Sequence, residues 1–167
     1  MIKARSAALK GFLADGNFSA AERALIKSVT QKSLLYLLDA GLMDGGTAGY
    51  DYGGTLNILL ANYDSAYYQM VTDSVFLLDP KQLTGMYALF GDYVIDFTDY
   101  WLRAPDSTKY TDSSPSNVLY LRTDSKILYS HANDGDIGVR PALYLKHGTF
   151  KLTGGDGSDF DPYVISG

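Results

Sequence analysis

Apolar residues recur at helical spacing over the first forty residues of the chain. The pattern predicts a short amphipathic helix over residues 3–14, which the sequence DGN then ends. Ser19, followed by Glu22 three positions later, predicts a capping box at the start of a second helix that continues to Val29. Residues 33–41 predict a third helical segment, which stops at a glycine. The N-terminal quarter is therefore expected to be helical.

The middle of the chain gives weaker signals. Residues 41–55 hold six glycines without periodicity, which is typical of a loop. The apolar runs at 56–63 and 67–71 are compatible with either a helix or a strand. Residues 74–79 predict a strand, and Pro80 ends it and opens a short helix. A change from helices to strands is expected in this region.

Beyond residue 94 the chain alternates short strand-like runs with turn-rich links. The runs are YWLRA, NVLYLRT, KILYSH, VRPALYL and DPYVI. Helices first and strands later predict an α+β fold, with helices packed on a mainly antiparallel sheet. If NVLYLRT and KILYSH form a hairpin, Leu119 and Leu121 face the core, and Tyr120 and Arg122 point outward. Alternation does not decide which face of KILYSH points inward.

Composition and charge exclude several classes of protein. The chain has 167 residues, 46% of them apolar and 20% charged, which is typical of one globular domain or a domain with a tail. A net charge of −5 argues against a nucleic-acid partner. No apolar run approaches the ~20 residues of a membrane span, and no signal peptide is visible. Because the chain has no cysteine and two histidines, we expect no metal and no cofactor.

Four motifs occur in a fixed order along the chain: FSAAERALI, VFLLD, YWLRAP and GVRPALYL. Together they resemble a widespread bacterial and phage domain of unknown function. Its pattern includes FSxxExxxI, VFLLSxxE, WWLRSPG and GVRPAL. The match covers roughly residues 5–146 and departs from the family at Asp79, Leu83, Ala104 and Asp106. The resemblance implies one domain over residues 1–150, with 33–72 as an insertion and 151–167 as a C-terminal strand or tail.

The GVRPA motif is also similar to that of the C-type-lectin-like fold. This fold occurs in formylglycine-generating enzymes and in the variable proteins of diversity-generating retroelements, where a fixed scaffold presents a ligand-binding face. The resemblance implies a C-type-lectin-like fold, and a place on a cell surface, a virion or a phage tail. It implies no enzymatic activity. The expected partner is a surface protein or a glycan, and the sequence leaves the oligomeric state open.

Arg103 and Arg140 each lie in an apolar run followed by proline. An unpaired buried charge would destabilise the fold, so each guanidinium needs acceptors, which its planar fork of donors can find in loop carbonyls or a carboxylate. Neither motif brings a nucleophile or a base. Trp101, Arg103, Arg140 and Pro141 are therefore predicted to be structural, and no catalytic residue is predicted.

Residues 106–137 lie between the two arginines and are rich in Asp, Ser, Asn, Thr and Tyr. Adenine-directed diversification of codons would produce this palette, and so would an ordinary polar hairpin. Tyrosine, of which the chain has 14, is frequent in binding loops and also in plain β-structure. The segment between Trp101 and Arg140 is predicted to bind the ligand. The candidate residues are Tyr110, Asn117, Tyr120, Arg122, Tyr129, His131 and Asn133.

Two other functions stay open. The chain could be a structural module of a larger surface or phage-tail protein, with no ligand of its own. It could also be a carbohydrate-active enzyme, since Asp96 and Asp99 could form a carboxylate pair. The acidic sequences NDGD and GGDGSD, at 133–136 and 154–159, are interpreted as turns and not as calcium sites.

Overall fold

The computed structural model describes residues 12–14, 16–90, 98–109, 116–156, 158 and 160–166. In this part of the chain, helices and short strands are interspersed up to residue 90, and six strands follow. In order, they are α1 (Ala20–Leu25), β1 (Ile26–Lys27), β2 (Val29–Leu34), a 3-10 helix (Leu37–Leu42), α2 (Leu56–Asn62), β3 (Tyr68–Asp73), β4 (Val75–Phe76), α3 (Pro80–Phe90), β5 (Tyr100–Pro105), β6 (Asn117–Leu121), β7 (Ile127–His131), β8 (Ala142–Leu145), β9 (Lys151–Gly154) and β10 (Val164–Ser166).

The strands form four small sheets, in the orders β1-β8-β4, β2-β3, β5-β6-β7 and β9-β10. The pairs β1–β8, β5–β6, β6–β7 and β9–β10 are antiparallel. The combination of helices with mainly antiparallel sheets confirms the α+β prediction at this level.

The chain divides into two compact units. The first comprises Met1–Val29, Asp73–Val75 and Leu143–Gly167, and the second comprises Thr30–Thr72 and Phe76–Ala142. The β9-β10 hairpin belongs to the first unit, and the β5-β6-β7 sheet to the second. The predicted domain limits, 1–150 and 151–167, stay a prediction.

Helix α1 begins as predicted and ends earlier. The Ser19 hydroxyl accepts from the Glu22 amide at 3.2 Å, and the Glu22 carboxylate accepts from the Ser19 amide at 2.7 Å, which confirms the capping box. The predicted continuation to Val29 is wrong, because Ile26 pairs with Leu145 in β1 and is buried there. Strand pairing of this β-branched residue overrides the helical pattern. Most of the helix predicted over residues 3–14 lies outside the described residues.

Two further segments differ from their sequence patterns. The helix predicted over 33–41 is only partly present, because Leu34 ends strand β2 in the core and the 3-10 helix starts at Leu37. Of the strand predicted over 74–79, only Val75–Phe76 is a strand. The helix that Pro80 opens is confirmed as α3.

The core of the second unit draws on distant parts of the chain. It consists of Leu34, Tyr50, Tyr52, Leu59, Tyr63, Ala66, Leu83, Tyr100, Leu102, Ala104, Leu119, Leu121 and Ile127. The first six of these thirteen residues lie in segment 33–72, which the family resemblance implies to be an insertion. This segment is an integral part of the core, whatever its evolutionary origin.

The glycine-rich stretch before α2 is held in place by buried hydrogen bonds. The Tyr50 amide donates to the Thr108 hydroxyl at 2.9 Å, and the Tyr50 hydroxyl donates to the Pro105 carbonyl at 2.9 Å. The Tyr52 hydroxyl donates to the Ile127 carbonyl in the β5-β6-β7 sheet. Two tyrosines therefore connect the loop to strands β5 and β7, which belong to the candidate ligand-binding segment.

Candidate ligand-binding face

Arg103 lies at the centre of a buried polar network in the second unit. Its Nη2 donates to the Asp79 carboxylate at 3.1 Å, the Lys32 carbonyl at 3.2 Å and the Gln82 amide oxygen at 3.3 Å. The side chains of Arg103 and Asp79 are 14% and 7% exposed. The guanidinium also lies 5.6 Å from the centre of the Phe76 ring. These contacts join β2, β5 and the start of α3, which supports the structural role predicted for Arg103.

Asp79 connects this network to the first turn of α3. Its Oδ1 accepts from the Gln82 amide at 2.8 Å, and its own amide donates to Gln82 Oε1 at 3.1 Å, which are the reciprocal bonds of a capping box. Its Oδ2 also accepts from the Tyr63 hydroxyl at 2.6 Å. Burial and the neighbouring Asp79 charge raise the pKa of Tyr63 far above its usual value. The tyrosine therefore stays a hydrogen-bond donor at any physiological pH.

Lys32 is enclosed between two tyrosine rings beside this network. Its Nζ lies 4.5 Å from the centre of the Tyr68 ring and 4.9 Å from that of Tyr63, and it donates to the Tyr63 carbonyl at 2.6 Å. Burial lowers the pKa of Lys32. Tyr63 is the C-cap residue of α2, so the hydrogen bond from Lys32 satisfies a carbonyl at the helix C-terminus and gives the lysine a structural use.

The other residues predicted to be structural lie along β5 and before β8. Trp101 is buried in β5, and its amide donates to the Gly138 carbonyl at 3.0 Å. The Arg140 guanidinium lies 5.1 Å from the centre of the Tyr100 ring. Strand β8 begins at Ala142, so Arg140 and the exposed Pro141 precede the strand. The structural role of Arg140 stays a prediction, which the contact with Tyr100 supports.

Strands β6 and β7 form the predicted hairpin, and its register defines its two faces. Leu121 lies opposite Ile127, and Leu119 lies opposite Tyr129. Leu119, Leu121 and Ile127 are buried, so the prediction that the two leucines face the core is confirmed. Because residues two apart share a face, Tyr129 belongs to this same core-facing row. It is nevertheless 52% exposed.

The side chains of the core-facing row are therefore buried up to Leu119 and Ile127 and become exposed from Tyr129 onward. The next cross-strand pair is Asn117 and His131, and the His131 side chain is exposed. His131 Nδ1 shares a hydrogen bond of 3.0 Å with the Ser116 hydroxyl. An aromatic ring, an imidazole, an amide and a hydroxyl thus lie together at this end of the hairpin, which we call the open end (Ser116, Asn117, Tyr129, His131).

The remaining candidate residues lie elsewhere. Tyr120 points to the opposite face, where its ring packs edge-on against Trp101 at 6.0 Å and 73°. Arg122 lies in the hairpin turn and pairs with Asp124 at 2.8 Å, about 14 Å along the strands from the open end. Asn133 is exposed in the turn that follows His131. Tyr110 lies outside the described residues. The sequence pattern therefore identified the hairpin. The candidate residues that the structure describes lie at the open end and the turn after it, on the opposite face of β6, and in the hairpin turn.

One residue beside the open end was missed by the sequence analysis. Asp106 is half-buried, and burial raises the pKa of its carboxyl, with Asp51 adding to the rise and a hydrogen bond to the Asn117 side chain opposing it. The Asp106 amide also donates to the Asn117 carbonyl at 3.1 Å. The Asp106 carbonyl accepts from the Tyr52 amide at 2.9 Å, and Tyr52 lies in the glycine-rich segment far away in sequence, so no local pattern marks Asp106.

In the acidic turns, the carboxylates accept hydrogen bonds from nearby residues. Asp134 accepts from the Ser130 hydroxyl at 2.8 Å, and Asp156 accepts from the Ser158 amide at 2.9 Å. Among the described residues, no group of three or more acidic or histidine side chains is arranged to hold a metal ion. Asp99 accepts from the Thr123 amide at 3.0 Å, and its proposed partner Asp96 lies outside the described residues.

No helix in the described part of the chain is both long and apolar enough to cross a membrane. No protein-family model matches the chain, and no curated protein or solved structure is significantly similar to it. The family resemblance therefore rests on the motifs alone.

Proposed function

We propose that this chain is a non-enzymatic binding domain that uses the open end of the β6-β7 hairpin to bind a surface protein or a glycan. The domain would have a C-type-lectin-like fold and would be displayed on a cell surface, virion or phage tail. Its binding segment would be open to variation by codon diversification. The observation that carries the proposal is the exposure of Tyr129, which lies opposite the buried Leu119 and two residues from the buried Ile127.

The exposure matters because a tyrosine in that position gains little for folding. Its row neighbours Leu119 and Ile127 are buried, whereas about half of the Tyr129 side chain contacts water. Tyrosine offers a large apolar ring and a polar hydroxyl at low entropic cost, which is why it is enriched where proteins bind ligands. The neighbouring His131 and Asn117 can both donate and accept hydrogen bonds. This combination suits a ligand with apolar patches and hydroxyl or amide groups.

The proposal is tested by incubating fluorescently labelled protein with a glycan array and a panel of whole bacteria. Tyr129→Ser is expected to weaken binding by about thirtyfold, the effect of removing a hot-spot side chain worth ~2 kcal/mol. Tyr87→Ser, which alters a tyrosine 44% exposed on α3, is the matched control and should bind like the parent. Equal binding by the parent and both variants would place the ligand site away from the open end, and a parent that binds no probe would favour the alternative, a structural module without its own ligand.

An enzymatic function is the second candidate, because the Ser116 hydroxyl and His131 Nδ1 are 3.0 Å apart. A nucleophilic serine also needs a carboxylate that orients the histidine. Asp134, the nearest acidic residue in sequence, accepts from Ser130 instead. Treatment with a fluorophosphonate distinguishes the two functions: covalent labelling that Ser116→Ala abolishes would support a hydrolase, and no labelling is expected from a binding domain.

A further inference from the structure

A row of polar side chains crosses the β5-β6-β7 sheet at the open end of the hairpin. Pro105 at the end of β5 lies opposite Val118, and the next pair keeps this register, because the Asp106 amide donates to the Asn117 carbonyl at 3.1 Å. Asn117 in turn lies opposite His131 on β7. Directly opposite residues of antiparallel strands share a face, and the Asp106 carboxyl accepts a hydrogen bond from the Asn117 side chain. A carboxyl, an amide and an imidazole therefore lie side by side.

This row and the neighbouring Tyr129 form a small patch. Asp106 and Asn117 are partly buried, His131 is exposed and Tyr129 is 52% exposed. The row spans about 10 Å across the three strands, and Tyr129 lies about 7 Å from His131 along β7. A standard protein interface covers roughly 800 Å² on each partner, which is many times the area of the patch. The patch has the size of a small ligand such as a single sugar unit.

The functional groups of the patch match those of a sugar. A pyranose ring has an apolar C–H face that fits an aromatic side chain, and hydroxyls at its edge that both donate and accept hydrogen bonds. The ionised Asp106 carboxylate only accepts, whereas the Asn117 amide and the His131 imidazole offer both roles. A few placed polar groups beside an aromatic ring are the usual lining of a small-molecule site, whereas the core of a protein interface is depleted of charged residues.

The charges around Asp106 select the kind of sugar. Asp51 lies close enough for its charge to act on the Asp106 carboxyl, and its Oδ1 accepts from the Ser107 hydroxyl at 2.5 Å. Lys109 Nζ lies 3.8 Å from Asp51 Oδ2 and offsets one of these two negative charges. The remaining negative charge repels an anionic ligand. An uncharged sugar meets no such repulsion.

We propose that Asp106 and the open end bind an uncharged sugar ring that carries two neighbouring free hydroxyls. The ring packs its C–H face on Tyr129, and the two hydroxyls bond to Asp106 and Asn117. This inference rests on the proposed binding function and narrows its ligand from a surface protein or a glycan to a neutral glycan.

The charge selection is tested on a glycan array that carries neutral terminal sugars beside their uronic acids, such as galactose beside galacturonic acid. The parent should bind a neutral form about tenfold more tightly than its acid. Asp106→Asn should bind the neutral form about tenfold more weakly, because a charge-assisted hydrogen bond is lost, and should discriminate less against the acid. Asp124→Asn, the same substitution in the hairpin turn, is the matched control and should bind like the parent. Equal affinity for the two forms, or an Asp106→Asn variant that binds like the control, would overturn the inference.

Pretreated bacteria separate failure of this inference from failure of the proposed function. Periodate cleaves the bond between two carbons that carry neighbouring hydroxyls, so it should abolish binding of the parent, whereas protease treatment of the bacteria should leave binding intact. Binding that survives periodate and is lost after protease, yet still depends on Tyr129, would identify a protein ligand. That result overturns the neutral-sugar inference and leaves the binding function standing. Binding that Tyr129→Ser does not weaken would overturn both.

Discussion

Replacing Arg103 by methionine keeps most of the side-chain volume and removes the guanidinium from the centre of the buried network. The Asp79 carboxyl, 7% exposed, would then lose its ion-pair partner and retain Tyr63 and the Gln82 amide as donors. The Lys32 carbonyl and the Gln82 amide oxygen would each lose a charged donor as well. Removing one partner of a buried ion pair typically destabilises a protein by about 3–5 kcal/mol. The expected fall in melting temperature is roughly 6–20 °C for a chain of this size.

Urea unfolding followed by tryptophan fluorescence measures this loss directly. Trp101 is the only tryptophan, it is buried, and it lies two residues from Arg103 in the same strand. The control is Arg122→Met, which breaks an ion pair with Asp124 whose side chains are 43% and 35% exposed. Because exposed pairs contribute about 0–1 kcal/mol, this control should unfold near the parent midpoint.

A double variant shows whether the unpaired Asp79 carboxylate causes the loss of stability. Arg103→Met/Asp79→Asn removes the carboxylate charge and keeps a side-chain oxygen for the Gln82 amide. It should therefore recover part of the stability that Arg103→Met loses. If Arg103→Met and Arg122→Met unfold at the same urea concentration, the buried network does not hold the unit together, and the structural role of Arg103 is refuted.

Three further predictions concern pH, the second arginine and metals. Because burial raises the pKa of Asp106, the contribution of this residue to stability is full below the ordinary aspartate pKa and is lost as the pH rises through the raised value. Asp106→Asn should therefore flatten this part of the curve of stability against pH. A curve that the substitution leaves unchanged would contradict the prediction. Arg140→Ala should lower stability by about 1–2 kcal/mol, because the contact with the Tyr100 ring is lost, and thermal denaturation measures the change. An unchanged melting temperature with lost binding would instead indicate that Arg140 contacts the ligand. EDTA should leave the melting temperature unchanged, and a shift of several degrees would show that an acidic turn holds a metal.

Local sequence signals predicted the elements that depend on neighbouring residues. The Ser19–Glu22 capping box is recognisable because both of its hydrogen bonds span three residues. The β6-β7 hairpin is recognisable because alternation fixes which leucines of β6 face the core, and Leu119 and Leu121 do so. In both cases the residues that determine the structure are the same residues that form the local sequence pattern.

These local signals could not predict contacts between residues that are distant in sequence. The ion pair of Asp79 with Arg103 spans 24 residues, and the Tyr52–Ile127 hydrogen bond spans 75. The exposure of Tyr129 depends on where the core ends beneath β7, so alternation alone could not assign it. Ile26 was predicted to be helical because its pairing with Leu145 lies more than a hundred residues away.

Equilibrium binding of the Tyr129→Ser variant, paired with its urea unfolding curve, tests the proposed binding function most directly. The probe is the glycan or bacterial surface that gives the strongest signal with the parent protein. The proposal predicts about thirtyfold weaker binding and an unfolding midpoint close to that of the parent, because the side chain is half in water. Parent-like affinity for that probe, with the protein fully folded, would contradict a binding role for the open end of the hairpin.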